Sequence, residues 1–183
     1  MIKKILQIAA VLIIVNNLFG CTLHRSLVSS KNHQIKGVIQ LAIANERQLM
    51  RFSLVGQDYD NFNLQITTPF YVELLEIENL VEKNRVICQG RILTMDELNL
   101  WLTAKLGCEI PLKSVINWLC GKEPQFSSKW SLKYNSMHKI IAARNDDLHF
   151  IFEYDEKLQP VSLKITHELN RMVIKLKITT FRG

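Results

Sequence analysis

Apolar and polar residues alternate along most of this chain, and this period of two constrains the fold more than any other feature. Residues 50–54, 62–66 and 150–154 each place an apolar side chain at every second position. Side chains of a β-strand point alternately to the two faces of a sheet, so these segments are predicted to be half-buried antiparallel strands. Further strands are predicted near residues 38–44, 72–77, 86–89, 130–134, 139–143, 161–166 and 172–181, with loops at 56–58, 144–147 and 159–160. Strands adjacent along the chain normally form a meander.

Two predicted helices interrupt the strands in the middle of the chain. Thr94 and Glu97 have the spacing of a capping box, apolar residues then recur every three or four positions, and Gly107 ends the segment. Pro111 can start a second, shorter helix that closes before Gly121. Neither a one-sided sheet nor an amphipathic helix can bury its apolar side alone. The order of elements along the chain, strands followed by two helices and then strands, therefore predicts a curved antiparallel sheet with helices covering one face or end.

The first twenty-one residues have the pattern of a bacterial export signal. Lys3 and Lys4 precede an apolar run over residues 5–15, which is shorter than the ~20 residues that a helix needs to cross a bilayer. The run is therefore predicted to be a secretion signal and not a membrane span. Leu18-Phe19-Gly20-Cys21 resembles a lipobox, in which a signal peptidase cuts just before a cysteine that carries acyl chains. The alternative is an ordinary signal peptide with an incidental cysteine.

These signals divide the chain into three predicted parts. Residues 1–20 are a lipoprotein signal peptide, residues 21–35 a lipidated N-terminus and flexible tether, and residues 36–183 one domain with a sizeable core. The absence of aspartate after Cys21 resembles lipoproteins that are sorted to the outer membrane. The net charge of +6 is dispersed, without the basic runs of a nucleic-acid-binding protein. It suits anionic lipid headgroups or an acidic partner protein, and many ordinary solvated surfaces as well.

No motif for catalysis, metal binding or cofactor binding stands out. The five histidines are scattered, the cysteines lack redox or zinc spacing, and no serine lies in a nucleophile elbow. His149 and Glu153 could project from one side of a strand, as an ordinary polar face would also arrange them. Cys108 and Cys120 flank the short helix and could form a disulfide or lie buried as small hydrophobic side chains. We therefore expect no catalytic residue, no cofactor and no metal site.

The segment from Leu106 to Pro124 resembles a characteristic stretch of the LolB family, the outer-membrane receptors of the bacterial lipoprotein-localisation system. The matching features are a Leu-Gly helix end, a Pro-Leu helix start and a Trp-Leu-x-Gly close, here at residues 106–107, 111–112 and 118–121. The similarity also includes Lys36-Gly37 and the strands at 50–52 and 62–66.

The turn at residues 68–71, Thr-Pro-Phe-Tyr, stands where the LolB family carries an Asn-Pro-Leu-Gly-like turn. Phe70 keeps the apolar tip of that turn. Tyr71 places a bulky side chain where the family pattern has the backbone freedom of glycine.

The resemblance implies a mainly β fold with a helical lid (α+β), an open antiparallel half-barrel that encloses a hydrophobic cavity, LolA/LolB-like. It implies a monomeric receptor, anchored in the outer membrane through Cys21 and facing the periplasm. The receptor would accept lipoproteins from a LolA-like periplasmic carrier, bind their acyl chains in the cavity and insert them into outer-membrane phospholipid. Pro69, Phe70 and Tyr71 would form a membrane-insertion loop. The acyl-chain cavity would be lined by Met50, Phe52, Leu54, Leu64, Ile66, Leu98, Trp101, Leu102, Phe150 and Phe152.

Each implied site has an alternative interpretation. The apolar residues could all be ordinary core, and Phe70 could fold back on the sheet. A lipoprotein that binds another lipid, a glycolipid or a quinone on the same scaffold is a competing class, because a fold does not name its ligand. An enzyme acting on lipids is a third class, which would require a nucleophile and a base within hydrogen-bond reach.

Overall fold

The computed structural model describes residues 33–80, 86–88 and 91–182. The predicted signal peptide, Cys21 and the tether up to residue 32 lie outside the described residues. The described strands are β1 (His33–Ile43), β2 (Glu46–Asp58), β3 (Asn61–Thr67), β4 (Glu73–Leu80), β5 (Val86–Cys88), β6 (Arg91–Leu93), β7 (Ser131–Tyr134), β8 (Ile140–Arg144), β9 (Leu148–Tyr154), β10 (Pro160–His167) and β11 (Met172–Arg182). The described helices are α1 (Met95–Leu106) and α2 (Leu112–Leu119).

Nine of these strands form one open antiparallel sheet in the order β4-β3-β2-β1-β11-β10-β9-β8-β7. Neighbours in this order are also neighbours along the chain, except that β1 pairs with β11. The meander that the alternating pattern predicts is therefore confirmed, and a long-range pair at its centre joins two hairpin series. Strands β5 and β6 form a separate two-stranded ribbon that leads into the helices.

One face of the large sheet is buried and packs against the helices. Phe52 and Leu54 of β2, Phe150 and Phe152 of β9, and Leu163 of β10 are among its buried side chains. We call this the inner face, and the opposite, largely polar face the outer face. The mainly β, open-sheet fold with helices on one face confirms the predicted fold class.

All three predicted loops overlap a strand of the structure, at Gly56–Asp58 of β2, at Arg144 of β8 and at Pro160 of β10. Gly56 belongs to β2, which continues to Asp58, because Gly56 pairs with Phe62 across the ladder. A Cβ at Gly56 would lie 2.7 Å from Phe62 Cβ, so the glycine is needed for a close crossing within the strand and not for a turn. Pro160 is the first residue of β10, a strand position that proline tolerates. Strand β1 begins at His33, before the predicted domain start at residue 36.

The helices begin and end at the predicted residues. Thr94 and Glu97 form the complete capping box of α1, and Gly107 takes a left-handed φ of 73° at its end. The carbonyl of Pro111 accepts the first hydrogen bonds of α2, from the backbone N–H groups of Ser114 and Val115. The two helices differ in depth: residues 114–119 of α2 are all buried, whereas α1 buries only Leu98.

Candidate functional site

A cavity of about 180 Å³ lies between the inner face of the sheet and the two helices. Its sixteen lining residues are all apolar and come from both halves of the sheet, from α1 and α2 and from the segment between the helices. They are Ile39, Leu41, Met50, Phe52, Leu64, Ile66, Leu102, Leu106, Ile110, Leu112, Val115, Ile116, Leu119, Ile165, Ile174 and Leu176. A cavity with such a lining favours an apolar ligand and offers no polar group that would orient a hydrophilic one.

The strand register explains why these residues meet. Ile39 at the centre of β1 pairs with Met50 on one side and with Leu176 on the other, so all three point to the inner face. Phe52 pairs with Ile66 in the next ladder. The two-residue period of each strand therefore places a continuous apolar wall across the sheet.

Gly37 makes room for the largest side chain of this wall. It lies opposite Phe52 in the ladder, and a Cβ at Gly37 would lie 2.5 Å from Cε1 of the Phe52 ring and would clash with the backbone carbonyl of Lys177. The ring of Phe52 therefore lies across a position that only glycine can occupy. This gives the Lys36-Gly37 pair of the sequence pattern a physical role at the cavity.

An aromatic cluster fills the space beside the cavity, towards β9. Phe126 and Trp130, which follow α2, pack on each other with ring centroids 4.8 Å apart, and Trp130 packs on Phe150 at 5.4 Å. Trp118 of α2 packs on Phe152 at 5.6 Å. These contacts fill the β9 side of the inner face with core side chains. The cavity is therefore confined to five adjacent strands of the sheet, β3, β2, β1, β11 and β10.

Polar contacts fix α2 and α1 to different degrees. On the α2 side, the side-chain Oδ1 of Asn117 accepts a hydrogen bond from the Tyr59 backbone N–H at 3.0 Å, and Lys122 forms a 2.6 Å ion pair with Asp58. At the end of α1, the side-chain amide of Asn170 donates to the carbonyl of Gly107 at 2.8 Å. Asn170 lies in the turn between β10 and β11, so the end of the less buried helix is attached through a single side chain of a turn.

The turn between β3 and β4 presents three exposed apolar residues in succession. Phe70 is 88 % exposed, Tyr71 73 % and Val72 62 %. The turn is closed by hydrogen bonds from the Tyr71 backbone N–H to the Thr68 carbonyl at 3.0 Å and from the Val72 backbone N–H to the Thr68 hydroxyl at 3.1 Å. Phe70 thus points away from the sheet at one end of the molecule.

Tyr71 has a backbone conformation that is uncommon for a residue with a side chain. Its φ is 63°, in the left-handed region that favours glycine. The Arg51 side chain on β2 compensates: its guanidinium lies over the Tyr71 ring, with 5.1 Å from Cζ to the ring centroid. The Arg51 contact therefore supports the turn at the residue with the positive φ.

Known proteins resemble this chain in sequence and in fold. Residues 31–180 match the family of the outer membrane lipoprotein LolB. The chain belongs to the LolB family. Among solved structures, it is similar to a LolA superfamily protein from Nitrosomonas europaea, with 12 % identity and a TM-score of 0.54 over 84 % of this chain and 86 % of that one. This likeness concerns the fold. No curated protein sequence matches the chain.

Membership of the LolB family agrees with the other sequence features. The family is described as an outer membrane lipoprotein, as the lipobox at Cys21 predicts, although Cys21 itself lies outside the described residues. No helix among the described residues is both long enough and apolar enough to cross a bilayer.

In this LolB-family chain, five of the residues predicted for the acyl-chain cavity line it together: Met50, Phe52, Leu64, Ile66 and Leu102. The other five lie outside its lining. Leu54 and Leu98 are completely buried, Phe150 and Phe152 belong to the aromatic cluster, and Trp101 is half-buried on α1 against the core. Contact of any of these ten residues with acyl chains stays a prediction.

The cavity also includes residues that the sequence analysis did not single out. They come chiefly from β1, β10, β11 and α2, for example Ile39, Ile165, Ile174 and Ile116. The signal in β1 was weak because Val38 and Ala42 make its outer face partly apolar as well, so alternation does not identify the inner face. Only the pairing of β1 with β11, a contact between distant parts of the chain, shows which residues point inward.

Reactive side chains are absent from the lining of the cavity. Cys108 and Cys120 are both buried and free. Burial raises the pKa of the Cys108 thiol and raises that of Cys120 to about 12, so neither is activated as a nucleophile. The possible Cys108–Cys120 disulfide is not formed, and the side chains act as small hydrophobic groups. Within the described part of the chain, no group of acidic, histidine or cysteine side chains could hold a metal ion.

Proposed function

We propose that this protein is a lipid-anchored receptor on the periplasmic side of the outer membrane. It accepts lipoproteins from a LolA-like periplasmic carrier, binds their acyl chains between the sheet and the helices, and inserts them into the outer-membrane phospholipid. It does so as a monomer and without enzymatic chemistry. The observation that carries the proposal is the cavity with sixteen apolar lining residues in a member of the LolB family.

The physical chemistry of acyl chains explains why such a receptor needs an apolar cavity. Each methylene buried from water contributes ~0.8 kcal/mol, so a chain of about 15 methylenes gains on the order of 12 kcal/mol on burial. A lipoprotein cannot cross the periplasm with such chains exposed. Transfer from one apolar site to another requires only that each acceptor binds the chains better than the donor does, so no nucleotide is needed.

The volume of the cavity supports a further proposal, that a helix moves when cargo binds. A cavity of roughly 150 Å³ lined by aliphatic side chains holds a molecule of the size of benzene, and this cavity measures about 180 Å³. A long acyl chain therefore needs more room than the structure offers. Helix α1 is the element that can supply it, because it buries only Leu98 and its end is held by the Asn170 amide. We propose that α1 is displaced when the acyl chains enter.

The turn at residues 68–72 supports the delivery step. Tyr is enriched at the interface between water and lipid, Phe is among the apolar residues that interfacial segments bury there, and Phe70 projects from the sheet almost fully exposed. A solvent-exposed aromatic tip next to Pro69 is the geometry that a membrane-touching loop requires. We propose that Phe70, with Pro69 and Tyr71, enters the bilayer interface and holds this end of the sheet at the acceptor lipid.

A matched pair of variants on α1 tests the role of the cavity. Leu102 lines the cavity, whereas Leu100 on the same helix is 71 % exposed. Leu102→Glu places a carboxylate among apolar side chains and should abolish transfer of a lipoprotein from a loaded carrier, followed by co-precipitation. Leu100→Glu adds the same charge and should accept cargo normally. Equal acceptance by the two variants, with both folded, would refute the cavity as the acyl-chain site.

The same experiment separates the proposal from its alternative. A receptor for a glycolipid, a free lipid or a quinone would retain that ligand during purification and would accept no lipoprotein from the carrier. Extraction of the purified protein with organic solvent, followed by mass spectrometry, identifies such a ligand.

A further inference from the structure

The outer face of the sheet carries a cluster of unpaired positive charge at its centre. Its members are the outward-pointing side chains of adjacent strands, and we call them the basic face: Lys36 on β1, Arg47 on β2, Lys164 on β10 and Lys175 and Lys177 on β11. All five are exposed. Among the residues that the structure describes, none of the five forms an ion pair or a side-chain hydrogen bond.

The strand register brings like charges directly together. Lys164 lies opposite Lys175 in the β10–β11 ladder, and the other cross-strand neighbour of Lys175 is Gln40. Lys177 lies between Val38 and Ser162. Like charges directly opposite each other destabilise a sheet, and no carboxylate lies directly opposite Lys164 or Lys175; Glu153 lies diagonal to Lys164 across the β9–β10 ladder.

Acidic side chains of the outer face either lie away from this centre or accept hydrogen bonds from neighbouring polar side chains. Glu76 on β4 accepts hydrogen bonds from the side-chain amides of Asn63 and Gln65. Glu153 on β9 accepts a hydrogen bond from the Ser162 hydroxyl. The charge of the face is thus segregated: the central strands are basic and the β3–β4 edge is acidic. A shallow groove along the basic part is lined by Lys164, Lys175 and Lys177 and, at its β9 side, by Glu153 with its Ser162 partner.

We propose that the basic face docks on the anionic headgroups of the bilayer to which the protein is anchored. The inference rests on the lipid anchor of the proposed function. Only eleven residues separate Cys21 from the first described residue, His33, and an extended chain spans at most ~3.6 Å per residue, so the domain stays within about 40 Å of the membrane. An anionic lipid surface is therefore the complementary partner that is always within reach.

The positions of the two membrane-contacting segments agree with this docking. β1 starts at His33, which pairs with Gly56, whereas the 68–72 turn lies beyond the Arg51–Thr67 pair. His33, to which the preceding residues are joined, and the Phe70 tip therefore lie at opposite ends of the sheet. A domain that lies on its outer face brings both ends to one bilayer and turns the helices and the cavity towards the periplasm, where a carrier arrives.

Lysine labelling of the full-length lipidated protein tests the docking. The protein is bound to vesicles of neutral phosphatidylcholine or to vesicles that also contain anionic phosphatidylglycerol, and amine modification of each lysine is measured by mass spectrometry. We expect Lys36, Lys164, Lys175 and Lys177 to be protected severalfold on the anionic vesicles alone, with protection lost at high salt. Lys105 on α1 and Lys113 on α2 face away and should be labelled equally on both vesicles.

A matched pair of double variants shows whether the charges cause the docking. The double variant Lys164→Gln/Lys175→Gln should shift the equilibrium about thirtyfold towards the undocked domain. Each lysine contributes about fivefold to binding an anionic surface. Protection of Lys36 and Lys177 should then disappear. Lys105→Gln with Lys113→Gln removes the same charge from the helices and should leave that protection intact. Removing a like-charge pair does not threaten the fold.

Other outcomes would overturn the proposal in distinguishable ways. Flotation of the protein with neutral vesicles, together with equal labelling on both kinds of vesicle, refutes docking and leaves the anchor and the proposed function standing. Failure to float with neutral vesicles refutes the anchor, and the docking with it. Protection that appears only when an acidic carrier protein is added, and on either vesicle, identifies a protein as the partner of the basic face and refutes the lipid surface.

Discussion

The guanidinium of Arg51 donates a hydrogen bond to the Tyr71 hydroxyl at 3.1 Å while it lies over the ring of the same side chain. Arg51 on β2 thus contacts both the aromatic ring and the hydroxyl group of Tyr71. The contact links the sheet to the exposed turn that carries Phe70, and it braces a residue whose φ is positive.

Replacement of Arg51 tests this brace. Arg51→Ala should leave the sheet intact, because an exposed cation–π contact contributes ~0.5–1 kcal/mol. The turn should become more mobile, so cargo acceptance stays normal and insertion into liposomes slows. Arg51→Lys retains the charge but loses the planar fork and should show an intermediate defect. Insertion at the normal rate by Arg51→Ala would show that the turn needs no support from β2.

Replacement of Phe70 separates holding cargo from delivering it. Phe70→Glu removes the apolar tip and adds a charge that resists the bilayer interface, while a change at so exposed a position alters stability by less than about 0.5 kcal/mol. The variant should accept lipoprotein from the carrier but release it poorly into liposomes, and Phe70→Ala should show a weaker defect.

A control for Phe70 exists at the same end of the sheet. Leu169 lies in the β10–β11 turn and is 72 % exposed, so Leu169→Glu adds a charge near the Phe70 tip without altering it. This variant should insert cargo normally. A normal insertion rate for Phe70→Glu would show that Phe70 has no membrane role, and unfolding of that variant would show that it belongs to the core.

The ion pair between Asp58 and Lys122 predicts a pH dependence of stability. Burial acts to raise the pKa of Asp58, but the Lys122 ammonium and the backbone N–H groups of Asp60 and Asn61 together hold this pKa below its ordinary value. A lowered pKa in the folded state contributes stability above the unfolded pKa of about 3.9, and this stability is lost as the pH falls through the folded pKa.

Asp58→Asn tests that contribution. Thermal unfolding of the variant should be less dependent on pH below about 4 than that of the parent protein. The loss of stability at neutral pH should not exceed about 1 kcal/mol, because both side chains are partly exposed. Lys122→Gln should show the same flattening in weaker form, since the backbone donors remain. An unchanged pH profile for both variants would refute the role of the pair.

Gly37 provides a test of the cavity wall. Gly37→Ala forces the Phe52 ring and the adjacent β11 backbone to move, which should cost about 1–3 kcal/mol. The displaced ring should also change binding of a fluorescent fatty-acid probe, measured by titration. Phe52→Leu alone keeps the wall apolar and should retain probe binding. Full stability of Gly37→Ala would show that the Phe52 ring can adopt another position without a cost in stability.

Local signals in the sequence predicted the local structure well. The Thr94–Glu97 capping box, the left-handed Gly107 and the start of α2 at Pro111 each depend on a few neighbouring residues, and each is confirmed. Gly56 differs from the prediction because a glycine followed by polar residues, here Gln57 and Asp58, is typical of a turn, whereas its neighbour across the ladder, Phe62, is what requires it.

The cavity could be predicted only in part, for a physical reason. Alternation identified the inner face of β2 and β3, and those strands supply Met50, Phe52, Leu64 and Ile66. The same pattern in β9 led to Phe150 and Phe152, which the aromatic side chains of residues 118–130 cover. Whether an inward apolar residue meets a void or a neighbour depends on tertiary packing, which a period of two does not encode.

β1 pairs with β11, which is the last of the described strands to be synthesised. The sheet therefore cannot be completed before β11 is present. Until β11 arrives, β1 remains an open edge and the strands from β2 to β4 have only half of their sheet. Contacts so distant along the chain form slowly. A chain that has not yet added β11 therefore has no finished cavity, because β11 supplies Ile174 and Leu176 of its lining.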